Sequence, residues 1–144
     1  MRISTFDFDE LKRLGVIGPY PDSDYAVQWL LGYLKRGIHD YGSSPAERVK
    51  KFNLLQQMAV GQTVLKLKAS TSSRPMRAGI LLYFTGRPEL NEMAEEISDC
   101  PFLAKIKWNK NLVSGKIAND AYYVRIDQLV LEKTMQPLWP IKSL

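Results

Sequence analysis

Hydrophobic and polar positions change their period once along the chain. Between residues 7 and 60 apolar positions recur every three to four residues, a spacing that predicts helices. From residue 63 onward several shorter segments alternate between apolar and polar residues, which is typical of strands. The first part of the chain is therefore expected to be helical and most of the remainder to form a sheet.

Capping signals and turn residues divide the first part into three helices. Residues 18–21, Gly-Pro-Tyr-Pro, form a rigid connector because neither proline can sit inside a helix. One of residues 22–24 is expected to cap the second helix, whereas Ser44 caps the third with Pro45 in its first turn. The predicted helices cover residues 7–14, 22–38 and 45–60.

Five strands and one further helix are predicted in the second part. The continuous apolar segment 78–84 is expected to lie at the centre of its sheet, and residues 109–111 to form a turn. The strands are predicted at 63–69, 78–84, 102–108, 113–117 and 122–126, with a helix over 86–97. This order predicts a single α+β domain with an antiparallel sheet and helices packed on one side. Residues 1–21 form a short helix and connector, and residues 22–144 the core domain.

Charge is distributed in blocks, although the net charge is only +5. Residues 48–88 hold eight Lys or Arg and no acid, residues 89–99 hold five acids and no base, and residues 100–119 hold four lysines and no acid. Two stretches that exclude acids are typical of a surface that meets phosphates or an anionic membrane. The acidic block is complementary to such a surface on a second copy, which favours self-association.

The basic residues expected to bind an anionic membrane or phosphates lie on the third helix, on one face of the first strand and in the loop of residues 70–77. They are Lys50, Lys51, Lys66, Lys68, Arg74 and Arg77. In the loop, hydroxyl and guanidinium groups are donors for phosphate oxygens, although a plain solvated loop is the alternative. A secondary basic surface is predicted at Lys105, Lys107 and Lys110.

Candidate catalytic and metal-binding residues are few. With one cysteine, Cys100, and one histidine, His39, the chain has no intrachain disulfide, cysteine-based zinc site or multi-histidine metal centre. Cys100 closes a predicted helix, where nothing activates its thiol, and His39 is expected to cap the second helix. The acids of residues 92–99 fall on the outward face of their predicted helix. The sequence therefore predicts a protein that is not an enzyme and has no metal or cofactor.

The N-terminal residues and the apolar runs bear on the expected location. No apolar run reaches the roughly 18 to 20 residues that span a bilayer. Asp7, Asp9 and Glu10 occupy the position of a signal peptide's apolar segment. We therefore expect neither a transmembrane helix nor a signal peptide.

Several segments resemble a known family in their order. They are YPDSDYAVQWLLGYLKRGIHDYGSS, VKKFNLL, TVLKLKA, RPMRAGILLYF and FLAKIKWNKNLVSGKIANDAYYVRI. This order is similar to that of rhabdovirus matrix proteins, especially those of lyssaviruses and vesiculoviruses, over about residues 20–131. The resemblance implies a basic protein without catalytic residues that coats the nucleocapsid, binds the inner membrane leaflet and self-associates during budding. Residues 19–21 do not form the family's late-budding motif.

The resulting interpretation is a non-catalytic matrix-type protein of the virion and host cytoplasm, peripheral at the inner face of the membrane. Its expected partners are itself, the viral nucleocapsid or RNA, an anionic inner leaflet and host proteins. One alternative is a small nucleic-acid-binding module in which aromatic residues such as Tyr83, Trp108, Tyr122 and Tyr123 stack on bases. Aromatic residues on strands are more often part of the core than of a stacking platform. The other alternative is a protein-binding adaptor or inhibitor.

Overall fold

The computed structural model describes residues 5–37, 42–68, 75–86, 102–117 and 120–139. These hold helices α1 (Thr5–Arg13), α2 (Asp24–Arg36) and α3 (Pro45–Ala59), and strands β1 (Thr63–Leu67), β2 (Pro75–Gly86), β3 (Phe102–Asn111), β4 (Ala121–Arg125) and β5 (Leu129–Leu131). A short 3-10 helix, Ile126–Gln128, separates β4 from β5. The predicted α+β class is confirmed.

Local sequence signals set the ends of α2 and α3. The hydroxyl of Ser23 accepts a hydrogen bond from a backbone N–H of the first turn (3.1 Å), which selects Ser23 among the three predicted caps. α2 ends slightly earlier than expected because Gly37 adopts a left-handed conformation, with φ of +73°. Ser44 and Glu47 form a capping box at the start of α3, so the predicted start of this helix is confirmed.

The five strands form one open antiparallel sheet in the order β4-β3-β2-β1-β5. β2 lies at its centre, as predicted. One face of the sheet packs against all three helices in a single core. Within this core the ring of Phe102 lies 4.6 Å from that of Tyr33 in α2 and 5.4 Å from that of Phe52 in α3. The predicted inward residues of β3 are all buried there.

The opposite face, called the outer face below, carries a second and smaller apolar cluster. Leu65 and Leu67 share this face, as their alternation predicts, and pack with Val130 and Ala78. Val64 is the β1 residue that enters the main core. β1 is apolar on both faces because it lies between β2 and β5 rather than at an edge.

The connection between β3 and β4 differs from the prediction. β3 continues through the predicted turn at 109–111, and residues 113–117 do not form a strand. The chain turns at residues 112–116 instead, and Ile117 makes a single bridge to Lys110. The partner of β4 is β3 itself. The alternation near residue 113 misled the prediction because apolar residues occupy a turn.

A β-bulge interrupts the register of β2 and β3. Gly79 pairs with Trp108, but the preceding residue of β2, Ala78, pairs with Lys110, so Asn109 is an extra residue. The bulge reverses the alternation beyond it. Lys110 therefore shares the outer face with Lys107, which pairs with Ile80.

Two further predictions fall near the ends of β2. Residues 75–77, predicted as part of a loop, begin β2, and Gly86, predicted to start a helix, ends it. The remainder of that loop and of the helix predicted at 86–97 lies outside the described residues.

The chain returns along the outer edge of β5. The backbone N–H of Leu131 donates to the carbonyl of Gln136 (2.9 Å), and that of Leu138 donates to the carbonyl of Leu129 (3.1 Å). Val130 and Pro137 form a bridge between these two hydrogen bonds. This edge of the sheet is therefore paired by its own chain.

Candidate functional site

The predicted basic residues of α3 lie in the helical layer. Lys50 is exposed, whereas Lys51 is half-buried with its ammonium 5.5 Å from the centre of the Trp139 ring. This geometry is a cation–π contact. Lys50 is therefore the more accessible of the two charges.

The remaining predicted basic residues before β2 differ in their exposure. Lys66 is half-buried on the helix-packed face of β1, where it pairs with Leu129. Lys68 follows the end of β1 and is exposed. Arg74 lies outside the described residues.

Arg77 belongs to strand β2 rather than to a loop, and its charge is already paired. Its Nη2 lies 3.2 Å from Oδ1 of Asp120 and 3.4 Å from Oδ2. Its guanidinium carbon lies 4.8 Å from the centre of the Trp108 ring and 5.7 Å from that of Tyr122. This arrangement holds the side chain in one position beside the end of β3.

The three predicted lysines of β3 share the outer face, but they differ in their surroundings. Lys105 is held by Asp22, whose Oδ2 lies 3.6 Å from its ammonium, and it lies over the rings of Tyr83 and Tyr123. Lys107 and Lys110 are exposed. The accessible charge of this strand is therefore concentrated toward its C-terminal end.

Asp22, Tyr83 and Tyr123 form a chain of hydrogen bonds around Lys105. The Tyr83 hydroxyl donates to Oδ1 of Asp22 (2.5 Å), and the two tyrosine oxygens are 2.8 Å apart. Because the single proton of Tyr83 is committed to Asp22, Tyr123 is the donor in the second bond. Burial and the bond to Asp22 raise the pKa of Tyr83 above its usual range. The bond from Tyr83 and the nearby Lys105 hold the pKa of Asp22 below its usual value.

Replacing Tyr83 by phenylalanine is expected to raise the pKa of Asp22 toward its ordinary value. This pKa can be measured by following the NMR signal of the Asp22 carboxyl carbon during a pH titration. Tyr122→Phe is the control, since Tyr122 makes no bond to Asp22, and it should leave that pKa unchanged. The pKa of Asp22 in the folded protein lies below the unfolded value of about 3.9. Asp22 therefore contributes to the free energy of unfolding above that pH, and this contribution is lost as the pH falls through the pKa of the folded protein. Equal pKa values for Asp22 in both variants would contradict this assignment.

A cluster of exposed apolar side chains lies in the turn between β3 and β4. Leu112 is 37% exposed, Val113 58% and Ile117 88%. Single exposed apolar residues are common on protein surfaces, but three within six positions form a patch of the kind that marks an interaction site. We call residues 112–117 the tip.

Backbone hydrogen bonds fix the conformation of the tip. The side-chain oxygen of Asn111 accepts from the backbone N–H groups of Val113 (2.9 Å) and Ser114 (3.0 Å). The backbone N–H of Asn111 donates to the carbonyl of Lys116 (2.8 Å), and Gly115 supplies a positive φ of +76°. The apolar side chains are therefore presented on an ordered turn.

Lysines surround the tip. Lys110 precedes the tip, Lys116 belongs to it, and both are exposed. Leu112 donates its backbone N–H to Met76 at the start of β2, and the neighbouring Pro75 pairs with Leu67, so Lys68 lies at the same end of the sheet. An apolar projection with cations at its base is suited to an anionic surface that has an apolar interior.

Sequence reasoning missed the tip and Lys116 as functional residues. The prediction of a strand at residues 113–117 places their apolar side chains in the sheet. The signal that was present is the pair Ser114-Gly115, a turn combination with apolar residues on both sides.

The aromatic residues do not form one stacking platform. Trp108 and Tyr83 are buried, with 1% and 5% of their surface exposed. Tyr122 and Tyr123 are exposed, but successive residues of a strand point to opposite faces of the sheet. These four residues therefore present at most one exposed ring to a nucleic-acid base on each face of the sheet.

The remaining candidates give little chemistry in the described part of the chain. His39, Cys100 and the acids of residues 92–99 lie outside it. Within it, no three His, Cys, Asp or Glu residues are grouped as metal ligands. None of its helices combines the length and the apolar character needed to cross a membrane.

Comparison with known proteins was made at three levels. No protein-family model matches the chain, and no curated protein or solved structure does so either. The functional argument therefore rests on the chain's own geometry.

Proposed function

We propose that this chain is a non-catalytic matrix-type protein that binds an anionic membrane and a ribonucleoprotein through basic surfaces and self-associates during assembly. Its place is the inner face of the membrane, in the virion and the host cytoplasm. The observation that carries the membrane part of the proposal is the ordered tip, with three exposed apolar side chains close to Lys110 and Lys116.

The tip supplies two kinds of binding free energy. Burying one Val, Leu or Ile side chain is worth about 1.5–3 kcal/mol. A basic residue near an anionic leaflet adds about 1 kcal/mol, and salt screens it. Binding is therefore expected to require acidic lipid and to retain an apolar component that salt does not remove. Binding to nucleic-acid phosphates lacks such a component.

Co-sedimentation with vesicles tests the proposal. The wild-type protein is expected to bind phosphatidylserine-rich vesicles but not neutral ones at about 0.15 M salt, where the Debye length is near 8 Å. The double variant Val113→Ser/Ile117→Ser is expected to bind at least about a hundredfold more weakly, because it removes two apolar side chains worth about 1.5–3 kcal/mol each. Lys110→Glu/Lys116→Glu should abolish the preference for acidic lipid.

Ile17→Ser is the matched control, because Ile17 is 51% exposed but precedes α2, far along the chain from the tip. It should bind vesicles like the wild type. Lys50→Glu tests the exposed charge of α3 in the same way. If the wild type binds neither kind of vesicle, or if the tip variant binds as well as Ile17→Ser, the membrane proposal is wrong. Retention of single-stranded RNA in that case would favour the nucleic-acid-binding alternative.

A further inference from the structure

Two buried hydrogen-bond donors beside the tip find no acceptor among the described residues. They are Nε of Arg77 and Nε1 of Trp108, and both are shielded from solvent. Most buried hydrogen-bond donors in proteins are paired, so two unpaired donors on side chains in contact with each other require an explanation. The guanidinium carbon of Arg77 lies 4.8 Å from the centre of the Trp108 ring, so the two side chains that carry these donors are in contact.

The salt bridge to Asp120 uses only part of the guanidinium. Asp120 approaches Nη2 with both of its oxygens and leaves Nε unpaired. The Nε–H and one Nη2–H of arginine point the same way and together match two oxygens of a single oxyanion. Asp120 therefore occupies half of a bidentate site.

We infer that Arg77 and Trp108 form a binding site for a phosphate group. Two phosphate oxygens take Nε and Nη2 of Arg77, and a third accepts from the indole N–H of Trp108. A carboxylate, with two oxygens, cannot fill three separate donor positions as well as phosphate does. The carboxylate of Asp120 leaves Nη2 when phosphate enters.

The position of the site connects it to the proposed membrane binding. Binding of a lipid phosphate at this site rests on that proposed function. Arg77 pairs with Asn111, the residue that immediately precedes the tip. When the tip enters the apolar layer, Arg77 lies at the level of the headgroups. The same chemistry suits a lipid phosphate and free inorganic phosphate, and the experiment separates the two.

The test follows the indole N–H resonances of Trp29, Trp108 and Trp139 by NMR, with Trp108→Phe used to assign that of Trp108. Adding inorganic phosphate is expected to shift the Trp108 resonance and leave the other two in place. Asp120→Asn should bind phosphate about fivefold to tenfold more tightly, because the competing carboxylate charge is gone. Arg77→Lys should lose the shift, because lysine has no paired N–H groups.

A second arm uses soluble short-chain phosphatidylserine in place of phosphate. If the Trp108 resonance shifts at a lower concentration of lipid than of inorganic phosphate, the site is assigned to a lipid headgroup. If it shifts at a lower concentration of inorganic phosphate, the site is assigned to free phosphate. An unmoved Trp108 resonance with both probes in the wild type overturns the inference, even where the protein still sediments with acidic vesicles. A shift in a protein that binds no vesicles would support the site while the membrane proposal fails.

Discussion

Replacing Arg48 by methionine is expected to lower the free energy of unfolding by roughly 3–5 kcal/mol. Arg48 belongs to the long acid-free stretch, yet only 4% of it is exposed. Its guanidinium donates to the carbonyls of Leu34 (3.3 Å) and Lys35 (3.1 Å) at the end of α2, and to the carbonyl of Ser43. Methionine fills much of the same volume but leaves these acceptors without that partner.

The end of a helix makes this loss large. The last carbonyls of α2 have no partner within the helix, and they carry the negative end of its dipole, which a buried cation stabilises. Urea unfolding measures the effect. The control is Lys50→Met, an exposed position two residues further along α3, which should change the free energy of unfolding by less than about 0.5 kcal/mol. Equal losses in the two variants would show that Arg48 has no capping role.

Gly86→Ala is expected to destabilise the fold by about 1–3 kcal/mol. A Cβ at this position would lie 2.5 Å from the carbonyl oxygen of Trp29 and 2.9 Å from its carbonyl carbon. These are backbone atoms of α2, so neither can move without shifting the whole helix. The hydroxyl of Thr85 also donates to the carbonyl of Ala26 (2.7 Å), which ties the same end of β2 to α2.

Gly32→Ala is the matched control for this close approach. A Cβ at Gly32 would lie 2.6 Å from Nη2 of Arg36, the far end of a flexible side chain that can move aside. Alanine also has a higher helix propensity than glycine by about 1 kcal/mol. Gly32→Ala should therefore stabilise α2 in a thermal unfolding experiment, whereas Gly86→Ala lowers the melting temperature. Destabilisation of similar size in both variants would contradict the backbone-contact argument.

The parts of the fold that the sequence predicts correctly depend on neighbouring residues. The capping box of Ser44 and Glu47 involves positions three residues apart, and the buried face of β3 follows from strict alternation between Phe102 and Trp108. Signals of this kind are complete within one element. The antiparallel sheet follows from them because the predicted elements lack the regular alternation of strand and helix that is typical of a parallel sheet.

The candidate site was harder to predict because its chemistry depends on distant partners. The acid-free stretch was interpreted as surface charge, but Arg48 reaches carbonyls 13 and 14 residues away and Arg77 reaches Asp120, 43 residues away. The bulge at Asn109 then moves Lys110 to the face of Lys107. A charge count in a sequence window records neither kind of information.

The hydrogen-bonded return of residues 136–138 along β5 gives the sheet one closed edge. Among the described residues, no strand pairs with the outer edge of β4. Two copies that join by continuing the sheet must therefore meet β4 to β4 across a two-fold axis, as two sheets of five strands each. The outermost strands of that combined sheet are then the two β5 strands, each already paired with residues 136–138 of its own chain. Such pairing disfavours growth beyond two copies by strand addition.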